Sequence, residues 1–166
     1  MPLISCFFAM VIAFTFIYAG IKKYKVFDEF QSTLEMTFKI PTSISKFVAI
    51  SVISFELSLL PIFIFGPNDL LIYQIICFMM FIFFCIPLYA VLTKKTIQCN
   101  CFGQSSALGW EDLLRNMMLL IASVFLCISP PLPMFYLSII IIILLALCLV
   151  VLMINLKSIS AFIRPE

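Results

Sequence analysis

Residues 70–92 read LLIYQIICFMMFIFFCIPLYAVL, twenty-three positions without one charged side chain. A bilayer core is crossed by about 20 mostly apolar residues in a helix, so this stretch predicts a transmembrane helix. Four more segments meet the same criterion. Toward the N-terminus they are LISCFFAMVIAFTFIYAGI at 3–21 and FVAISVISFELSLLPIFIFG at 47–66; toward the C-terminus they are residues 116–133 and MFYLSIIIIILLALCLVVLMI at 134–154. GPND, 66–69, predicts a turn between the second and third spans. SPPLP, 129–133, predicts a tight turn between the fourth and fifth, because proline cannot continue a helix interior and holds its predecessor extended.

The composition agrees. Of 166 residues, 64% are hydrophobic and 11% charged, whereas soluble domains are nearer half apolar and about a quarter charged. So few charges cannot cover a soluble surface, and the solvent of this chain is lipid. The expectation is an all-α, polytopic membrane helical bundle with about five transmembrane helices, one domain over residues 1–166. No nucleic-acid partner is expected. The first span has no basic segment before it, its apolar run is long for a signal peptide, and Lys22, Lys23 and Lys25 follow it directly. It reads as a retained anchor.

The basic residues predict an orientation. Lys22, Lys23, Lys25, Lys39 and Lys46 lie between the first two spans; Lys94, Lys95 and Arg115 lie between the third and fourth; Lys157 and Arg164 follow the fifth. These are all ten of the chain's Lys and Arg, and with five spans they share one side. The positive-inside rule puts that side in the cytoplasm of a plasma-membrane protein, with the N-terminus outside. KKYKVFDEFQSTLEMTFKI, 22–40, spaces Phe27, Phe30, Leu34 and Phe38 three and four apart. It reads either as a short amphipathic helix at the interface or as a solvated loop with anchoring aromatics.

Chemistry-bearing residues are few. Histidine is absent, which removes the commonest general base at neutral pH and the commonest metal ligand. Of seven cysteines, Cys6, Cys77, Cys85, Cys127 and Cys148 fall in or at the ends of apolar spans, where a free cysteine behaves as a small hydrophobe. Cys6 and Cys127 both fall near the outer ends of their spans, which admits an outer pair. Cys99 and Cys101 stand in the polar stretch TIQCNCFGQSSALGW, 96–110, near Lys94, Lys95 and Arg115. Cations favour the thiolate, the nucleophile of disulfide exchange. A disulfide across one residue closes a small, strained ring that is readily reduced, which suits transfer of redox equivalents better than a permanent staple. The alternatives are thiols without chemistry and a soft ion such as Cu(I); zinc wants four ligands, and no His or second exposed cysteine pair is available. No metal is expected.

Glu56 sits in the middle of the second span, where a charged group costs several kcal/mol. It is expected to be protonated, because no basic residue lies mid-span to pair with it. Its functional readings are proton exchange coupled to thiol chemistry, or binding of a quinone or substrate group; a quinone is the one cofactor admitted. The structural reading is a neutral acid bonded to Ser51, Ser54 or Ser123. Arg115 and Asn116 open the fourth span after Trp110, Glu111 and Asp112. Trp110 reads as an interface anchor. Arg115 either pairs with Glu111 at i, i+4 or stabilises a thiolate or anionic intermediate at Cys99 or Cys101.

CNCFG at 99–103, GW at 109–110 and RN at 115–116 occur in that order, after YAGIKKYKVFDEF at 18–30 and SFELSLLPIF at 54–63. In these features the chain resembles the MauE family of methylamine-utilisation membrane proteins, related to DoxX-like proteins, over nearly its whole length. The resemblance implies work beside a thioredoxin-like partner in maturing an exported, disulfide-containing client, in the namesake case the small subunit of methylamine dehydrogenase. Cys99 and Cys101 then become the candidate redox pair of a thiol–disulfide oxidoreductase. Maturation occurs outside, whereas the charges put this pair inside, so a relay needs a cytosolic donor and a route outward. The other function classes are a non-catalytic scaffold of a maturation or export complex and a small transporter using Glu56 for protons.

Overall fold

The structure is a computed structural model that describes residues 2–65, 69–93, 109–131 and 136–163. Seven helices make it up: α1 (Pro2–Lys25), α2 (Phe27–Phe38), α3 (Thr42–Phe65), α4 (Leu70–Thr93), α5 (Trp110–Ile128), α6 (Tyr136–Ile154) and α7 (Leu156–Ile163). No strand occurs among the described residues. Leu3–Lys25, Thr42–Ile64 and Leu70–Thr93 are long and apolar enough to cross a membrane, and Ile140–Ile154 is a shorter apolar stretch. The molecule is an all-α membrane helical bundle. Large apolar side chains such as Leu71, Phe78, Phe81, Leu144 and Leu145 face outward, as a lipid solvent requires.

The central helix is α1, which packs against α3, α5 and α6. Its sequence places Ala9, Ile12, Phe16, Ala19 and Lys23 at spacings of three and four, and all five are buried. Between lipid-solvated helices, close approach depends on small residues. Gly20 supplies the closest approach: a Cβ there would lie 3.1 Å from Leu57 Cδ2 and 3.3 Å from Glu56 Cβ on α3. Leu59, Ile76, Met80, Leu119, Leu126, Ala146 and Val150 complete the core around α1.

Residues 27–38, open in the sequence between helix and loop, form α2, and this amphipathic helix docks on α3 rather than standing free. Phe27, Phe30 and Leu34 pack against Ala49, Val52 and Ile53. Glu35 Oε1 accepts a hydrogen bond from Ser45 Oγ of α3 (2.7 Å), which ties the two helices together, and one from Gln31 Nε2 of its own helix (3.0 Å). Lys39 follows with a left-handed φ of 52°, a conformation that costs a residue with a Cβ about 1–2 kcal/mol, and the chain reverses into α3.

Two helices carry internal prolines, Pro61 in α3 and Pro87 in α4. Pro87 has no N–H to offer the Phe83 carbonyl four residues earlier. Asn116 of α5 supplies the missing donor, Nδ2 to Phe83 O at 3.2 Å, which is how a proline is accommodated where no water is at hand.

Several boundaries differ from the expected spans. The fourth span, expected at 116–133, is a helix from Trp110 to Ile128, which begins ahead of the expected start and takes in Glu111, Asp112 and Arg115. Acidic residues in a first helical turn complement the helix dipole, which extends α5 backwards. Asp69 Oδ1 accepts the Leu71 N–H at 3.2 Å at the start of α4; the rest of GPND, and Leu132 and Pro133 of SPPLP, lie outside the described residues.

Candidate functional site

Lys23 and Glu56 form a buried ion pair between α1 and α3, the ammonium donating to Glu56 Oε1. Their side chains are 4% and 1% exposed, so neither charge is solvated by water. This corrects the expectation that Glu56 finds no cation to pair with; the alternative bond to Ser51, Ser54 or Ser123 is not formed among the described residues. Ser123 instead donates to the Leu120 carbonyl of its own helix at 2.8 Å, and Ser51 and Ser54 are exposed. The reason is an offset between helices. Lys23 is two residues from the end of α1, whereas Glu56 is fourteen residues, about 21 Å at 1.5 Å per residue, into α3. The close contact at Gly20 sets the basic end of α1 level with the midpoint of α3.

Two rings complete the surroundings of the ammonium. Lys23 Nζ lies 5.5 Å from the ring centre of Phe30 on α2 and 5.4 Å from that of Phe83 on α4, both within cation–π range. Phe83 also packs against Phe16 at 5.9 Å. Glu56 Oε2 has no hydrogen-bond partner among the described residues. A buried carboxylate oxygen without a donor is costly. Glu56 and Lys23 are lining residues of a cavity of about 210 Å³.

That cavity gathers five helices. Thr15 and Lys23 come from α1, Leu34 from α2, Val52 and Glu56 from α3, Met79, Ile82 and Ile86 from α4, and Arg115 and Asn116 from α5. Two of the residues singled out in the sequence, Glu56 and Arg115, are therefore brought onto one wall system from distant parts of the chain. Arg115 is 4% exposed and donates to Asp112 Oδ1 at 2.6 Å, one turn earlier. Asp112 Oδ2 in turn accepts the Gly109 N–H at 3.0 Å and caps the helix start. Glu111, the i, i+4 partner in one of the two roles offered for Arg115, instead accepts from Ser160 of α7 at 2.8 Å. The i, i+3 pair wins because Arg115 and Asp112 share the buried face of α5, while Glu111 points toward α7.

Cys99, Cys101, Lys94 and Lys95 lie outside the described residues, between the end of α4 and the start of α5. The five described cysteines are free thiols. Cys127 has Cys77 of α4 as its thiol hydrogen-bond neighbour, rather than the Cys6 that the span positions had admitted. No group of three or more Cys, Asp or Glu is placed to hold a metal ion among the described residues.

Lys23 is the site residue that sequence reasoning missed. Its signal was present: it stands four residues after Ala19 and seven after Phe16, on the buried face of α1, whereas Lys25 is exposed and Lys22 partly so. Counting all three lysines as one basic cluster hid that difference.

No curated protein and no solved structure matches the chain. The family model described as methylamine utilisation protein MauE matches residues 1–129, which takes in α1 to α5, all the helices that build the cavity, and stops before α6. By that match, over more than three quarters of its length, the chain belongs to the MauE family.

Proposed function

We propose that the protein is an integral plasma-membrane thiol–disulfide relay. Cys99 and Cys101 exchange with a thioredoxin-like partner, and the redox equivalents serve an exported, disulfide-containing client, as the family resemblance implies. In the direction that oxidises the partner, a partner thiolate attacks the Cys99–Cys101 disulfide to give a mixed disulfide. The partner's second thiol then resolves it. The partner is left with an S–S bond and this chain with two thiols, two electrons and two protons having passed to it. The orientation proposed with this reading has five crossings, the N-terminus outside, and the cysteine pair and C-terminus in the cytoplasm.

One observation carries the reading. The connection that bears the two cysteines runs directly into α5, and the first turns of α5 put Arg115 and Asn116 on the cavity that Lys23 and Glu56 line. Thiol exchange moves protons with electrons, and Glu56 with Lys23 is a buried acid–base pair on the cavity that the start of α5 reaches. Substituting one cysteine, Cys99→Ser or Cys101→Ser, should trap a mixed disulfide with the partner, seen on a non-reducing gel and lost on reduction. The double substitution should abolish that species while the protein stays in the membrane. A double variant that still matures its client would overturn the relay and leave a non-catalytic scaffold.

A further inference from the structure

We infer that the cavity beside Lys23 and Glu56 is the binding site of a neutral, lipid-soluble ring bearing carbonyl or hydroxyl oxygens, a quinone or its quinol, entering from the bilayer between α3 and α4. Its redox role rests on the relay reading above; the binding itself does not.

The way in is set by packing. α4 packs extensively on α5, and α3 on α1 and α2, but α3 and α4 share almost no packed length. Their one ring contact among the described residues is the stack of Phe63 on Tyr73, 6.2 Å between centres, where the two helices follow each other in sequence. Beyond it the cleft is walled by Val52 and Leu34 on one side and by Met79, Ile82 and Ile86 on the other. These walls are apolar at a depth where the solvent is lipid, so a lipid-soluble molecule reaches the cavity without crossing water.

The head group is set by what lies at the inner end. The buried charges come as two closed pairs, Lys23 with Glu56 and Arg115 with Asp112. A charged ligand would add an uncompensated charge in a region of low dielectric, which is strongly unfavourable. A neutral one adds none. Glu56 and Lys23 both belong to the cavity lining, so the carboxylate offers an acceptor to a hydroxyl and the ammonium a donor to a carbonyl. An oxygen that alternates between these two forms is what a quinone and quinol present. About 210 Å³ is room for one substituted ring with its tail left in the cleft.

The redox balance closes. The two thiols of Cys99 and Cys101 give up two electrons and two protons as their S–S bond forms. The two carbonyl oxygens of the quinone take both, and a quinol results.

The test uses the full chain in phosphatidylcholine nanodiscs, titrated with a decyl-substituted benzoquinone and compared with empty nanodiscs. Saturable one-to-one binding is expected for the native chain and equally for the Cys99→Ser/Cys101→Ser double variant. Met79→Trp and Ile86→Trp, which fill the cavity without touching the ion pair, should each weaken binding by roughly tenfold or more, with helical content and elution volume unchanged. Binding that persists in the cysteine variant while thiol-driven quinone reduction is lost supports both readings. Saturable binding with no thiol-driven reduction in the native chain removes the redox role of the bound ring and leaves the site. The site is overturned if uptake never exceeds that of empty nanodiscs, or if both tryptophan variants, shown to be folded, bind like the native chain. It is equally overturned if native mass spectrometry finds a phospholipid that excess quinone does not displace.

Discussion

Glu56 and Lys23 show how much one contact changes the chemistry expected of a residue. A lone acid in lipid is neutral, and Glu56→Gln would then be tolerated; a paired one holds a cation in place. Removing one member of a buried pair leaves the other charge uncompensated, at about 3–5 kcal/mol, whereas replacing both by apolar groups is often near neutral. Glu56→Gln and Lys23→Met are each expected to lower the thermal midpoint in detergent markedly, and the double variant to recover most of the loss. Additive losses in the double variant would show that the two charges do not depend on each other. Glu35 makes a second prediction, outside the membrane-spanning helices. The Ser45 hydroxyl, and after it the Gln31 amide, hold its carboxyl below the ordinary glutamate range. Since the folded value lies below the unfolded one, the contribution is present above the unfolded pKa and is lost as pH falls through the folded one. Amide exchange over residues 27–38 should therefore accelerate in acid relative to a Glu35→Gln variant measured at the same pH. A difference between the two proteins that does not vary with pH would contradict the clamp.

Among the helices, α4 and α5 are joined by more than apolar packing. Pro87 frees the Phe83 carbonyl, and Asn116 reaches across to it from α5. The hydrogen bond matters because the proline is there, which makes a double-mutant cycle decisive. Asn116→Leu should cost about 1 kcal/mol in the native background and close to nothing when combined with Pro87→Ala, whose N–H restores the helical bond. Equal costs in both backgrounds would mean that Asn116 acts elsewhere, for instance only as a wall of the cavity. Caps and pairs of its own fix the extended start of α5. Asp112 caps the helix through Gly109 and holds Arg115, so the three charged residues that end the apolar pattern at 110–115 still belong to the helix.

For the whole molecule, the prediction concerns orientation. On the five-span reading of the sequence, all ten basic residues fall on one side. Reporter fusions after Lys25, Ser105 and the C-terminus should all report cytoplasm and a fusion at Asn68 the outside; an external signal at Ser105 would invert the assignment and put the thiol pair beside its exported client. The all-helical membrane class, the approximate helix positions and the MauE-type motifs were legible in the sequence, because apolar run length and short motifs are properties of consecutive residues. Glu56 stood out for the same reason, as the single acid in an apolar run. The partner of Glu56, the partner of Arg115 and the thiol neighbour of Cys127 were not legible. The first and third depend on how far one helix is shifted along another, and the second on which face of α5 is buried. The close contact of Gly20 with Leu57 sets the shift between α1 and α3, bringing a lysine from the edge of one apolar stretch to the middle of the next. The sequence by itself determined which segments are apolar enough for lipid; only the tertiary structure decided which of them lie level, and so which charges meet across the cavity.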